Sequence, residues 1–348
     1  MTGAGVSEPR NPKHTAGPEG SAGPQDARDY DLVVIGDCNP DVLVVGDDVT
    51  PTFGQREKLV DNMSLVIGGS AAITAVAAAR LGLRVALVAA VGADPAGQFM
   101  RDQLQGNGVD TAAVIVRPAE PTGMTVALSA GPDRAILTAV GVIASLTAED
   151  VPAALLARAR HVHVSSYFLL EESLGPGLAA VLAQARAAGA VTSLDTNWDP
   201  AERWGDSRLR AACNQADLLL PNEAEALNLS GEPTLAGAAR ALTRRGSRLA
   251  VKLGPRGALA ADGSRRYHVE LPAVTAVDAT GAGDCFNAGL IAGLLAGGSM
   301  PEAVALGCAV GALSTQAPGG TASCPDLAAA RTLASQATIY QATNMTVA

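Results

Sequence analysis

Short apolar runs alternate along this chain with longer stretches of helical period. Asp31-Leu-Val-Val-Ile-Gly36 is apolar between its ends and stops at glycine, as a buried strand does. A second apolar run, Val42 to Val45, follows Asp37-Cys-Asn-Pro-Asp41, and residues 50–67 alternate loosely enough to supply a strand or two. Gly68-Gly69 opens the alanine-rich AAITAVAAARLG, which reads as a helix stopping at Gly82. Val85 to Val91 reads as the next strand, and residues 95–106 as a helix ending at Gly106-Asn-Gly108. This β–α–β–α rhythm predicts a parallel sheet covered on both faces.

The rhythm breaks in the middle. From Ala113 to Leu137 two β-branched runs flank Pro121-Thr-Gly123, and Gly131-Pro-Asp133 adds a turn, which predicts antiparallel strands in a small separate sheet. Alternation resumes with helix 148–159, strand 161–165, helix 174–188, strand 190–195, helix 206–214 and strand 217–220. Helix 234–245, strand 248–253, hairpin 257–270 and helices 282–297 and 301–315 complete it. No repeat of fixed period and no linker divides the core. The expectation is one α/β domain over 30–338, with lid strands at about 42–67 and 113–138. Residues 1–29 read as a disordered leader and 339–348 as a tail.

Composition narrows the partners. Of the 348 residues, 25 are basic and 34 acidic, a net charge of −9 that argues against nucleic acid or an anionic membrane. Only Lys13, Lys58 and Lys252 are lysines, so a bound anion would be held by backbone geometry rather than by a broad positive field. The five cysteines are scattered, form no CxxC pair and read as reduced core thiols of a cytoplasmic protein. The uncharged stretch from Ala303 to Pro325 is long enough to span a bilayer, but its second half is too rich in Gly, Pro and polar residues. A buried helix running into a loop is expected there, in a soluble chain with no targeting signal.

Asp278-Ala-Thr-Gly-Ala-Gly-Asp284 carries the most chemistry. A glycine loop runs straight into an apolar helix, so backbone N–H groups can converge on an anion at the helix N-terminus. Asp284 in the first turn is a poor phosphate ligand, because like charges repel, but it is placed to take a proton from an attacking hydroxyl. The alternative is an ordinary capped helix with an acidic first turn. No GxxxxGK motif followed by Ser or Thr occurs, and no GxGxxG follows the first strand.

Gly68-Gly69 before one helix and Asp278–Asp284 before a late one resemble the two signature regions of the PfkB (ribokinase-like) carbohydrate kinases, a likeness running over about residues 30–335. The resemblance implies a three-layer α/β/α core with a mainly parallel sheet and a β lid. It also implies transfer of the ATP γ-phosphoryl group to a hydroxyl of a sugar, sugar derivative or nucleoside. Asp284 would be the base, and the N–H groups of Gly281, Ala282 and Gly283 an anion hole in which each donor contributes roughly 3–4 kcal/mol. Asn222 and Glu225, in Asn222-Glu-Ala-Glu225, are similar to the element that acts on Mg2+ through water. Lys252, Gly254 and Gly257 resemble the nucleotide-side strand and turn.

At the substrate end Asn39, Asp41, Gly68 and Gly69 match positions that hold sugar hydroxyls, with an Asx turn around Pro40 as the alternative. Ile73 stands where the ribokinase pattern has Asn, which removes one hydroxyl contact and suggests a less hydroxylated acceptor. Asp278 and Thr280 resemble a monovalent-cation (K+) site, with a loop held by ordinary hydrogen bonds as the alternative. Asp195-Thr-Asn-Trp-Asp199 is either an element near the phosphate path or a turn with a structural Trp198. His161 and His163 read as structural, and Arg134 as a solvated lid residue. The thin aromatic content and the want of an obvious arginine pair favour a neutral sugar over a nucleoside or sugar acid. A binding protein on a retired kinase fold is the reading from another class. Dimerisation through the lid is common in the family.

Overall fold

The computed structural model describes residues 28–130 and 133–341. The expected leader thus lies almost wholly outside the described residues, as does the side chain of Arg134. The chain runs β1 (Tyr30–Ile35), β2 (Asn39–Val45), β3 (Asn62–Gly68), α1 (Ser70–Arg80), β4 (Val85–Gly92), α2 (Pro95–Gly106), β5 (Val109–Asp110) and β6 (Val114–Arg117). There follow β7 (Met124–Ala130), β8 (Asp133–Ala139), α3 (Ala153–Leu156), β9 (Ala159–Val164), α4 (Gly175–Ala187), β10 (Val191–Leu194), α5 (Ser207–Gln215) and β11 (Leu218–Leu219). The last part holds α6 (Glu223–Ser230), α7 (Leu235–Leu242), β12 (Arg248–Lys252), β13 (Ala258–Asp262), β14 (Arg265–Glu270), α8 (Ala282–Leu295), α9 (Met300–Ser314), α10 (Leu327–Ala334) and β15 (Thr338–Gln341).

The main sheet has the order β15-β14-β13-β12-β11-β10-β9-β1-β4-β5, with β6 also on β4. It is parallel from β5 to β12 and antiparallel beyond. Helices cover both faces, which is why β1 is apolar at successive positions. Leu32 and Val34 pack with residues of α1, α8 and α9, while Val33 and Ile35 pack with those of α4, α5 and α7. The chain leaves β1 to one neighbour, β4, and reaches the other, β9, only after the lid. In open α/β sheets the carboxyl ends of the strands at such a switch point are where ligands bind.

A second sheet of order β3-β2-β7-β8 forms the lid. It differs from the expectation in two ways. Residues 114–117 pair in parallel with β4 of the main sheet, because the apolar run follows α2 as the next crossover strand. The lid's inner strand begins at Asn39, three residues earlier than expected, since Asn39 pairs with Gly68. The helix expected over 148–159 is cut to a turn at 148–150 and the short α3, because Pro152 cannot continue a helix. Helices α6 and α10 were not expected, and β15 on β14 carries regular structure past the predicted boundary at 338.

The uncharged stretch from Ala303 is α9, buried against α8. The two helices meet through small residues: a Cβ on Gly307 would lie 2.9 Å from the Phe286 carbonyl oxygen, and one on Gly311 2.8 Å from that of Ala282. Among the described residues no helix is long and apolar enough to cross a membrane.

Candidate active site

The carboxyl ends of the strands bring separate segments together. Asp37 follows β1, Ser165 and Ser166 follow β9, Asp195 follows β10, Asn222 precedes α6 and Lys252 closes β12. The N-termini of α1 and α8 meet them. Helices α2, α5, α6, α7, α9 and α10 open on capping side chains. By contrast α1 and α8 open on Gly69 (φ 80°) and Gly281 (φ 70°), in backbone that side chains disfavour, and neither has a side-chain cap of its own. The Asp37 carboxylate supplies the missing cap of α1 by accepting from the backbone N–H groups of Ser70 at 3.0 Å and Ala71 at 2.9 Å. A Cβ on Gly281 would lie 2.7 Å from the Gly320 Cα, so the 315–326 segment closes directly on the start of α8.

Asp284 is buried in the first turn of α8, with the Ser70 hydroxyl close enough to favour its ionised form. Burial first, and then the Asp195 and Asp37 carboxylates, push its pKa well above the usual carboxylate range, against the opposing pull of Lys252. Lys252 is turned inward: its Nζ donates to Asp195 Oδ2 at 2.5 Å and lies 3.5 Å from where a Cβ of Gly283 would stand. The same Asp195 oxygen accepts from Asn287 Nδ2 at 2.6 Å, one turn beyond Asp284. Asp195 is thereby tied to both β12 and α8, and its pair with Lys252 puts a buried cation beneath the glycine loop. Asn222 caps α6 by accepting from the Glu225 N–H at 2.9 Å, while Glu225 accepts from the Asn222 backbone and side chain at 2.8 and 2.7 Å. Burial and the Asp195 charge push Glu225 up to about 7.

At the lid end, Asn39 and Asp41 sit within strand β2, which displaces the Asx turn as the account of this segment. Asn39 Nδ2 donates to Asp41 Oδ1 at 3.1 Å and to Thr125 Oγ1 at 3.2 Å, both atoms on the same lid sheet. The Asp41 carboxylate rests directly on Gly68, where a Cβ would fall 1.9 Å from its Oδ1. Asp41 and Asp284 therefore bracket the segment Gly68–Ser70. Asn197 closes this end: its Nδ2 donates to Ser70 Oγ at 2.8 Å and its Oδ1 accepts from the Ser166 N–H at 2.9 Å.

The remaining positions have mainly structural surroundings. Ile73 packs on Gly281 and Gly320 and is buried, so its side chain supports the glycine loop instead of lining the sugar end. Asp278 accepts from the N–H and hydroxyl of Thr280 and, at 2.8 Å, from the Gly319 N–H, an arrangement that matches the hydrogen-bonded loop. Gly254 and Gly257 bound the turn between β12 and β13. His161, Ser193, His163 and Ser165 form a buried hydrogen-bonded row at 2.7–2.9 Å, and burial holds His163 down at about 4. Trp198 stacks edge-to-face on Trp204, which meets Phe168 in the same way. Sequence reasoning missed Asp37, Ser70 and Asn287; Asp37 alone had a visible signal, a carboxylate directly after the Gly that ends the first strand.

Over most of its length the chain is similar to known carbohydrate kinases. The model of the pfkB family carbohydrate kinases matches residues 29–327. A fructokinase of Salmonella typhimurium is 32% identical over 303 residues, covering 82% of this chain and 97% of that protein. A 2-dehydro-3-deoxygluconokinase of Bacillus subtilis is 32% identical over 302 residues, covering 81% and 91%. A protein of E. coli described as a ribokinase II, solved with ATP and Mg2+, superposes with a TM-score of 0.77 at 25% identity, covering 87% of this chain and 98% of that one. The fold and site define a phosphotransferase of ribokinase-like architecture. The chain belongs to the PfkB carbohydrate kinase family, as its two glycine signatures predict.

Proposed function

We propose that this kinase transfers the γ-phosphoryl group of ATP to a hydroxyl of a neutral sugar or sugar-like polyol, with Asp284 as the base. The observation that carries this reading is the start of α8: a left-handed glycine, no side-chain cap and a buried carboxylate in one turn. ATP with Mg2+ would supply the phosphoryl group and offset its charge. The N–H groups of Gly281, Ala282 and Gly283 would hold the transferring group, and Asp284 would take the proton of the attacking hydroxyl. Lys252, paired to Asp195, adds positive potential behind that hole. Asn222, Gly254 and Gly257 would flank the nucleotide. Among the described residues no three metal-ligating side chains cluster, and both Glu225 oxygens are engaged by Asn222. That suits a hydrated Mg2+ carried by phosphates and touched through water better than a protein cage. A K+ ion beside Asp278 and Thr280 would show as stimulation of turnover.

Asn39, Asp41 and the backbone at Gly68 and Gly69 would hold the acceptor. A carboxylate at Asp41 accepts from hydroxyls and repels an acid, which favours a neutral sugar over a sugar acid. The reduced cysteines fit a cytoplasmic site of action. Asp284→Asn should lower kcat by about 10²–10⁴-fold with nucleotide affinity kept, read by coupled kinase assay and calorimetry. Turnover near that of the unaltered protein would rule out Asp284 as the base.

A further inference from the structure

Phosphoryl transfer leaves one pair of buried side chains without a task. Cys285 and Cys324 lie 39 residues apart in sequence and bring their sulfurs to 3.3 Å, both as free thiols. Cys285 directly follows Asp284 in the first turn of α8, and Cys324 lies in the segment between α9 and α10. Both thiols donate to one acceptor, the carbonyl oxygen of Gly320, at 3.4 and 3.5 Å. Gly320 is the residue packed against Gly281. The same segment holds the approach to the glycine loop, because Thr315 O accepts from the Val277 and Asp278 N–H groups at 2.7 and 3.0 Å.

We propose that Cys285 and Cys324 are a redox modification site, closing to a disulfide with hydroperoxide-class oxidants, reopening with dithiols, and lowering kinase turnover while closed. A sulfur pair at 3.3 Å needs to approach by little more than about 1 Å to reach the roughly 2.05 Å of a bond. Cys324 is the entry point, since it keeps some solvent exposure while Cys285 has none. Its thiolate is favoured by the Cys285 thiol, which turns its one proton from Gly320 to the Cys324 sulfur, and by Arg80, whose guanidinium also donates to the Cys324 carbonyl. The Cys324 thiolate attacks the peroxide oxygen, giving a sulfenic acid and releasing hydroxide, which takes up a proton. The Cys285 sulfur then attacks the Cys324 sulfur, its own proton and the departing hydroxyl leaving as water. Two thiols are oxidised and one peroxide is reduced to two waters. Neither sulfur can then donate, so the buried Gly320 carbonyl loses both thiol donors beside Gly281. The cost falls on the loop that forms the anion hole.

The test treats the reduced full-length protein with hydrogen peroxide, then follows intact mass, peptide mapping and turnover. The expected result is a loss of about 2 Da, a Cys285–Cys324 cross-linked peptide and recovery with dithiothreitol. Turnover in the closed form should fall by about fivefold or more, the least that an unsatisfied buried acceptor beside the hole costs. Cys324→Ser, which keeps a donor for Gly320, should retain basal turnover and show neither the mass loss nor the reversible inhibition. Cys285→Ser serves the same purpose if Cys324→Ser folds poorly. Two alkylatable thiols after peroxide would overturn the disulfide, and a closed form with undiminished turnover would overturn its effect on catalysis. Equal reversible inhibition of the Ser variants would assign that effect to another cysteine.

Discussion

Single residues in this site do work that their neighbours in sequence do not reveal. Gly68 is the plainest case: it exists so that the Asp41 carboxylate can lie on the backbone, and any Cβ would collide with it. Gly68→Ala should displace Asp41 and raise the KM for the sugar by about tenfold or more, the range for losing a charge-assisted hydrogen bond, while the KM for ATP stays near its original value. An unchanged sugar KM would separate Asp41 from acceptor binding. Asp284 and Gly281–Gly283 were legible because they are contiguous and introduce a helix. Asp195 and Asn287 were not legible as a unit, since they are 92 residues apart and meet only when β10 and α8 pack. The apolar character of Ile73 was legible, but the direction of its side chain, toward Gly281, was not.

Elements respond to caps and breakers that sequence states clearly. Asp94 with Pro95, Asp206, Thr234 and the Ser299–Glu302 box all open helices as their residue types predict. The Asn222–Glu225 box does the same for α6, yet burial gives it a titration of its own. Glu225 stands at about 7 against an ordinary 4.5, so folding disfavours its ionised form. The associated stability is fully present below pH 4.5 and is lost as pH rises through about 7. Glu225→Gln cannot ionise, so the Tm of the unaltered protein relative to this variant should fall between about pH 5 and pH 8, by scanning calorimetry. A constant difference across that window would place the Glu225 pKa outside it. The strand β15 was illegible for another reason: Thr338–Gln341 is short and exposed, and only pairing with β14 makes it a strand.

At the scale of the molecule, the lid presents an outer face that the core does not use. Register puts Val42, Val44, Met63, Leu65, Val126, Leu128 and Leu137 on one side of that sheet, with Asp41 and Thr125 on the other. Met63, Leu65 and Leu137 are exposed. An apolar sheet face of this kind supports the proposal of a dimer closed lid to lid. Leu65→Arg should convert a dimer to a monomer in light scattering after size exclusion, and a mass unaffected by it would count against the lid as the interface. The net charge of −9 is compatible with the proposed nucleotide site, in which the positive charge is local: one buried lysine and the uncapped N-terminus of α8 with its converging N–H groups.

The sequence by itself determined the alternation of strand and helix, the separate lid and the two glycine signatures, because each is written in contiguous residues with a local period or turn. Tertiary structure alone decided which carboxylate caps α1, where Lys252 points, that β6 joins the main sheet, and that Cys285 meets Cys324. Those outcomes depend on segments distant in sequence that the strand order brings to one edge of the sheet. Once buried there, their charges and hydrogen bonds answer to neighbours that no local pattern names.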